Sequence, residues 1–327
     1  MSIRIAATGV SHWHSLHDSA YLRHLAGMPE VTIVGLQDPD AAIAAKRAAA
    51  LGNPRVFTDE GVMLKETRPD FVVALGRHRD MAATAHHLLD AGVPFMMEKP
   101  MGVNAGEVAR VAEKAAAKRA FVAVPLIQRY GPFFARARQI LAEGRLGTVS
   151  HFYFRLNRPT SARYPAWDAG WMLDPEAAGG GCLRNLGSHG LDLFLAVIGE
   201  SAEVLGASLS SRALGARVED YASVLLRSSG GVIGTIEVGN LFPRDGTDGE
   251  SKLGGRDGIL IDRAGTMTLQ TREGATTEPS EPAEPLAKLA VRDIVDRFQR
   301  GAPPLASVHD LLPVVHLIDR AYELAAR

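Results

Sequence analysis

Thr8-Gly9-Val10-Ser11-His12 is a run that can turn several backbone amides towards an anion. It lies between an apolar strand-like stretch, Ile3–Thr8, and the first helical stretch. In a G-x-G-x-x-G turn at that place, a dinucleotide's pyrophosphate rests on helix N-terminal amides. Counted so that Ala7, Gly9 and His12 take the three glycine places, only the middle glycine remains, the one through which the backbone approaches phosphates. His12 is the more serious change, because the third place permits close helix–strand packing. Val10, Ser11 and Trp13 complete the residues of this turn expected to meet a nucleotide. A second signal is Gly35-Leu36-Gln37-Asp38-Pro39 at the end of the next strand. A carboxylate there accepts both ribose hydroxyls of NAD and repels the extra phosphate of NADP. Asp38-Pro39-Asp40 also reads as a turn capping the following helix, and one aspartate can serve both purposes.

Between residues 155 and 174 lie Arg155, Arg158, Arg163, Tyr164, Trp167, Asp168, Trp171 and Asp174. Aromatic faces stack on sugar C–H surfaces and arginines bind carboxylates or hydroxyls, so Arg158, Arg163, Trp167 and Trp171 are candidates for substrate recognition. An amphipathic loop covering a domain junction has the same composition, and the two readings stand side by side. His12, His14 and His17 lack a cysteine or a clear carboxylate partner, and no metal is assigned to them.

These residues need elements to hold them. A chain of 327 residues is long enough for two domains, each with its own core. The net charge of -1 leaves no global field to attract nucleic acid or an anionic membrane. One cysteine, Cys182, excludes an intrachain disulfide and a cysteine-based zinc cluster. No stretch reaches the ~18 apolar residues of a membrane span, and the opening run has no secretion-signal pattern. The expectation is a cytoplasmic protein.

Up to residue 125, short apolar runs (Ile3–Thr8, Val31–Leu36, Phe71–Leu75, Val93–Met97, Phe121–Val124) alternate with helical stretches ending at Gly52, Gly92 and Lys118. Strands without polar alternation are covered on both faces, which implies a doubly wound parallel sheet. From residue 126 to 327 the texture changes. Helices are expected at about 132–144, 188–198, 286–300 and 308–326. Strands are expected at Val149–Leu156, Val204–Ser210, Tyr221–Arg227, Val232–Val238, Gly258–Ile261 and Thr266–Leu269. Tight turns between several of them imply an α+β domain with one large open, mainly antiparallel sheet. Residues 274–285, rich in Glu, Pro and Thr, read as a solvated loop.

Two later motifs carry a family resemblance. Met97-Glu98-Lys99-Pro100 closes the fifth strand, and Ala178-Gly179-Gly180-Gly181-Cys182-Leu183-Arg184-Asn185-Leu186-Gly187-Ser188-His189-Gly190-Leu191-Asp192 lies in the second half. Together, and with the Tyr130/Pro132 helix start, they resemble the Gfo/Idh/MocA family of NAD(P)-dependent oxidoreductases over essentially the whole chain. The resemblance implies a Rossmann-like domain with a nicotinamide dinucleotide, for which Asp38 points to NAD in preference to NADP, a sugar, polyol or sugar-acid substrate, and a homodimer or homotetramer. It implies cofactor contacts from Gly76, His78, Glu98 and Lys99, and substrate contacts from Lys99, Arg129, Asn185 and His189. Lys99 would orient the reacting hydroxyl and favour a developing alkoxide. His189 would be the base, kept neutral by a helix N-terminus. Asn185 stands where the family commonly carries an aspartate, so it can position substrate or ring but cannot ionise. Asp192 is a substitute partner for His189 or a helix anchor. Arg77-His78-Arg79-Asp80-Met81 also departs from the family's Pro-Asn-x-x-His, with His78 in the Asn place. Two other readings remain: a non-catalytic regulator that binds NAD or a sugar, and a hydrolase or lyase that oxidises its sugar transiently.

Overall fold

The computed structural model describes residues 2–243 and 245–326. The chain divides into two compact units. The first comprises the residues up to Pro125 with Tyr164–Gly179 and Ala287–Leu312; the second comprises Leu126–Arg163, Gly180–Leu286 and the residues from Pro313 onward. Two segments expected in the second domain thus pack into the first unit. Phe298 accounts for one of them, its ring centroid lying 5.1 Å from Phe71 and 5.6 Å from Phe121. For the other, Tyr164, Ala169, Met172 and Ala178 share a buried apolar cluster with Trp13.

The first unit is built on a parallel sheet of β1 (Ile3–Thr8), β2 (Val31–Gln37), β3 (Arg55–Phe57), β4 (Phe71–Ala74), β5 (Phe95–Met97) and β6 (Val122–Ala123). Their order is β3-β2-β1-β4-β5-β6. Ile5, Ala6 and Ala7, the whole of β4 and the whole of β5 are buried, as strands covered on both faces must be. Helices α1 (Tyr21–Ala26), α2 (Ala41–Ala49), α3 (Glu60–Thr67), α4 (His78–Ala91) and α5 (Ala105–Lys118) connect them. Side chains fix where α2 and α5 begin. Asp40 accepts from the Ala42 and Ile43 amides at 2.9 and 3.1 Å. Asn104 accepts from the Glu107 amide at 2.9 Å, while Glu107 accepts from the Val103 amide at 3.0 Å. The strand order reverses between β1 and β4, so a crevice opens beyond their carboxyl ends.

The second unit holds an eight-stranded sheet of β7 (Val149–Asn157), β8 (Ala202–Ser210), β9 (Tyr221–Ser228), β10 (Ile233–Gly239), β11 (Asp248–Gly255), β12 (Gly258–Arg263), β13 (Thr266–Thr271) and β14 (Gly274–Pro279). The order is β14-β13-β12-β11-β7-β10-β9-β8, antiparallel except for β7 with β10. One face, with Phe152, Phe154, Ile236 and Leu253, is buried. The helix Ser188–Ile198 lies against it, with Phe194 5.5 Å from Phe152. Gly190 permits that approach, since a Cβ there would fall 2.5 Å from Phe154. The other face carries Tyr153, Arg155, Glu237, Glu250 and Lys252, joined by hydrogen bonds and ion pairs.

Three strands escape the sequence pattern. β3 has only three residues, and β11 begins and ends in glycine-bearing steps that hide its alternation. Residues 274–279 form edge strand β14 rather than a loop, because pairing to β13 needs only their backbone; all six stay exposed. Among the described residues, no helix is long and apolar enough to cross a membrane.

Candidate functional site

Beyond the carboxyl ends of β1, β2 and β4 lies a cleft of about 940 Å³, lined by Thr8, Gly9, Ser11, Gln37, Asp38, Gly76 and residues of α2, α3 and α4. Gly9 and Gly76 form its floor. Gly9 sits at φ +66°, and a Cβ there would fall 2.6 Å from the Gly76 backbone, so only glycine lets the two turns meet. Of the residues expected to hold a cofactor, Gly9, Ser11, Asp38 and Gly76 line the cleft. Val10, His12, Trp13, His78, Glu98 and Lys99 do not; all six are buried. Thr8, Gln37, Glu60 and His87 also belong to the cleft and were missed. The Thr8 hydroxyl lies 2.6 Å from both Gln37 Oε1 and Glu60 Oε2, and Glu60 pairs with His87 at 2.6 Å. Gln37 was legible as the last residue of β2, whereas Glu60 and His87 come from helix positions with no local signal.

Asp38 does what a turn cap does. Oδ2 accepts from the Ser11 amide at 2.6 Å and Oδ1 from the Asp40 amide at 3.0 Å, with the residue 2% exposed. The carboxylate thereby ties the first turn to the end of β2. Each oxygen keeps a further lone pair for a ribose hydroxyl.

The glycine places need recounting. β1 runs through Thr8, and Ala7 pairs within the sheet with Leu36 and Val73. Gly9 is therefore the first residue of the turn, and the three places are Gly9, Ser11 and His14 rather than Ala7, Gly9 and His12. At the third place a buried imidazole replaces the expected hydrogen. His14 Nε2 lies 3.3 Å from Asp18 and Nδ1 lies 3.4 Å from Glu98. Burial alone would lower the His14 pKa, but the Glu98 charge and the Asp18 hydrogen bond outweigh it and raise it. Burial would likewise raise Glu98, yet His14 and then Lys99 hold its carboxyl below the ordinary range. Lys99 Nζ is 4.0 Å from Glu98 and 2% exposed. Next to this group, His12 stacks on Trp13 at 4.0 Å. Burial, then the neighbouring His14, His78 and Lys99, push His12 well below its ordinary pKa. Glycine motifs carry no signal for such a cluster.

The tryptophan-bearing segment is anchored in this unit. Trp171 lies 5.1 Å from His78 and 5.9 Å from both His12 and Trp13. Trp167 stacks on His17 at 5.9 Å, and Asp168 pairs with Lys46 and Arg47. His78 Nδ1 bonds the Ala178 carbonyl at 2.7 Å. Among the described residues, no three His, Cys, Asp or Glu side chains are grouped to hold a metal ion.

In the second unit, the helical winding that carries Asn185 and His189 starts earlier than expected. A π-helical turn, Leu183–Gly187, runs straight into the helix Ser188–Ile198, and Cys182 and Gly187 already have helical dihedrals. Glu219 takes the free amides at its start: Oε2 accepts from Gly181 at 2.8 Å and Oε1 from Leu183 at 2.9 Å. His189 consequently lies well inside the winding, and its neutrality cannot be credited to a helix N-terminus. Asn185 and His189 are both buried. A π-turn, whose bonds run i→i+5, is a frequent mark of a functional segment. Asp192 is bidentate with Arg129, at 2.7 Å from Nη2 and 3.2 Å from Nε, so it anchors the helix. Arg163 pairs with Asp245 at 2.6 Å. The Arg158 amide donates to the Gly239 carbonyl at 3.0 Å, placing that residue at the end of β7 beside β10.

Residues 3–125 match the model of an oxidoreductase family with an NAD-binding Rossmann fold, and residues 134–261 match the Gfo/Idh/MocA C-terminal domain. The chain belongs to the Gfo/Idh/MocA oxidoreductase family. Its similarity extends to trans-1,2-dihydrobenzene-1,2-diol dehydrogenase of Mus musculus, 27% identical over 217 residues, which are 64% of this chain and 62% of the relative. The enzyme of that name from Bos taurus is 28% identical over 233 residues, 68% of this chain and 66% of the relative. The match thus spans less than two thirds of these relatives' length. Levoglucosan dehydrogenase, solved with NADH and levoglucosan, superposes with a TM-score of 0.86 at 18% identity over 100% of this chain and 98% of the other. GenD2 from gentamicin A biosynthesis, solved with NAD, gives 0.85 at 22% over 99% and 94%. At such identities the likeness is one of fold. It places this Gfo/Idh/MocA chain among proteins with the same pairing of a parallel and a mainly antiparallel sheet.

Proposed function

We propose that the protein is an NAD-dependent dehydrogenase that moves a hydride between nicotinamide and a CH–OH carbon of a sugar, polyol or sugar acid. The observation that carries this reading is the cleft floored by Gly9 and Gly76, where bare backbone leaves room for phosphates beside Ser11 and Asp38. These residues fit a dinucleotide, with Asp38 at the strand end that meets a ribose and an acidic rim of Asp38, Asp40 and Glu60 that disfavours an added 2′-phosphate. NAD supplies the hydride acceptor when bound. Lys99 donates a hydrogen bond to the substrate hydroxyl and stabilises negative charge developing on that oxygen. Its ammonium stands beside the Glu98 carboxylate, which limits its freedom to swing away. His189 takes the hydroxyl proton, and Asn185, held in the π-turn, positions the substrate. Arg158, Arg163, Trp167 and Trp171 are the side chains assigned to substrate selection. The dehydrogenases among its relatives support the reaction class. The same proposal makes the protein a cytoplasmic homo-oligomer that associates through the polar open face of the second sheet.

Titration of the cofactor-stripped protein with NADH and with NADPH, followed by tryptophan fluorescence, tests the reading. Quenching by NADH with at least tenfold weaker NADPH binding is the expected result, and binding of neither removes it. A panel of polyols, sugars and sugar acids with NAD then identifies the substrate. Bound NAD without net NADH formation on any of them would favour transient oxidation over a dehydrogenase.

A further inference from the structure

We propose that His14 is a positioning residue that locks the nucleotide-binding turn onto the Glu98–Lys99 strand end, and that its proton is needed for tight dinucleotide binding. The inference rests on the dinucleotide reading above and adds to it a residue that the glycine fingerprint leaves without a role.

The geometry is local to the first unit. His14 occupies the third glycine place, where the turn after β1 passes into its first helical turn. Its ring spans two carboxylates from different parts of the chain, Asp18 on one nitrogen at 3.3 Å and Glu98 on the other at 3.4 Å. The backbone of the same residue is tied to the turn, the His14 amide donating to His12 Nδ1 at 3.1 Å and the His12 amide to the Gly9 carbonyl at 3.1 Å. One residue thus couples Gly9 and Ser11, which line the cleft, to Glu98, the neighbour of Lys99 in sequence. The coupling depends on charge. With the ring protonated, the His14–Asp18–Glu98 group carries a net charge of about -1; without the proton it carries about -2, on carboxylates that now repel each other. A pyrophosphate brought to the adjacent turn adds further negative charge, so the protonated group is the one that admits it.

Several other groups face His14. Tyr21 of α1 lies edge-on at 5.7 Å, its phenol pushed well above the usual range by burial and by Glu98, so it stays neutral. His12 of the turn lies at 5.0 Å and is held neutral. Lys99 and His78 both act on His12, and Lys99 also stands 4.0 Å from the Glu98 carboxylate that His14 contacts. His14 is the group of this cluster whose protonated form is favoured, because the Glu98 and Asp18 interactions outweigh the desolvation.

The test is NADH affinity as a function of pH, read by tryptophan fluorescence for the wild type, His14→Gln and Asp18→Asn. In the wild type, affinity falls by about tenfold for each pH unit above the His14 titration, the slope of one linked proton. His14→Gln cannot titrate and gives a flat profile over that range. Asp18→Asn removes one carboxylate at the less buried end and moves the wild-type fall to lower pH. A residue that merely packed would shift affinity equally at every pH. The imidazole signal of His14 by NMR in the cofactor-free protein is the second measurement: it titrates above the ordinary histidine range in the wild type and lower in Asp18→Asn. Parallel affinity curves for wild type and His14→Gln, or a His14 signal unmoved by Asp18→Asn, overturn the proposal while leaving dinucleotide binding intact. Absence of NADH binding to the wild type at any pH overturns the dinucleotide reading, and the proposal with it.

Discussion

The two glycine-bearing turns of this chain solve the same problem by opposite means. In the second unit, Gly180 and Gly181 keep the chain thin so that neighbours can close on it. A Cβ on Gly181 would fall 2.1 Å from the Glu219 carbonyl, and one on Gly180 would fall 2.0 Å from the Tyr322 hydroxyl. In the first turn of the first unit, Gly9 is kept for closeness, and the remaining places are filled by Ser11 and His14. Backbone proximity there gives way to side-chain contacts: Asp38 accepts from the Ser11 amide, and Glu98 and Asp18 pair with His14. A turn closed by sterics fails when atoms are added. A turn closed by charges fails when a proton moves.

Gly181→Ala tests the steric side and has the largest expected effect. Its Cβ meets a backbone carbonyl held by the Cys182 amide at 3.1 Å, which cannot rotate aside. A loss of about 3 kcal/mol or more is expected, as for other overpacked sites. Because Cys182 is the next residue and buried, its labelling by a thiol reagent reports this turn directly. Burial and the nearby Glu219 and Asp220 raise its thiol pKa, so the folded protein reacts slowly. Labelling should accelerate in the variant, and an unchanged rate would show that the carbonyl can yield.

Gly9→Ala comes next, at roughly 2 kcal/mol, from the positive φ together with the clash against Gly76. All three tryptophans lie in the first unit, so fluorescence during urea unfolding reads this change where labelling of Cys182 does not. NADH affinity should fall with it. Equal affinity in Gly9→Ala would separate the cleft from the cofactor.

What could be read from the sequence follows the same division. The parallel sheet was legible because β4 and β5 are apolar throughout and β1 is apolar over Ile5–Ala7, and the helix Ser188–Ile198 because Gly199 and the Gly-rich run bracket it. Steric turns announce themselves, since glycine is the only residue that fits. The recount from His12 to His14 follows from the expected strand end at Thr8, because Ala7 inside that strand cannot be the first place of the turn. The Glu98–His14–Asp18 cluster joins residues 84 apart in sequence through a 3.4 Å contact that no local pattern encodes. Glu219 was missed for the same reason, and with it the true start of the winding that carries His189.

Tyr322→Phe gives a smaller effect on the steric turn. It removes one donor to Glu219 Oε1, at 2.7 Å, while the Leu183 amide still satisfies that oxygen. About 1 kcal/mol is expected, the usual net worth of such a bond. Cys182 labelling should rise modestly, and less than in Gly181→Ala.

The smallest effect draws the contrast most sharply, because it is the pH at which each turn loosens. His14 has a folded pKa raised above its ordinary 6.5, so its contribution to stability is fully present below that value and is lost as pH rises through the folded value. Glu98 has a folded pKa lowered from its ordinary 4.5, so its contribution is present above that value and is lost as pH falls through the folded one. The first turn is therefore tightest between those limits and weakens as pH rises through the His14 titration. Tyr322 has its pKa raised well above 10.0, by burial and then by Glu219, so its contribution holds through the whole neutral and mildly alkaline range. Unfolding followed by tryptophan fluorescence should show the stability gap between wild type and His14→Gln shrinking as pH rises above 6.5. Over the same range, the gap in Cys182 labelling between wild type and Tyr322→Phe should stay constant once rates are corrected for thiolate formation. A His14→Gln gap that stays constant would mean that the first turn, like the second, is closed by packing, and that the two carboxylates around His14 are paired elsewhere.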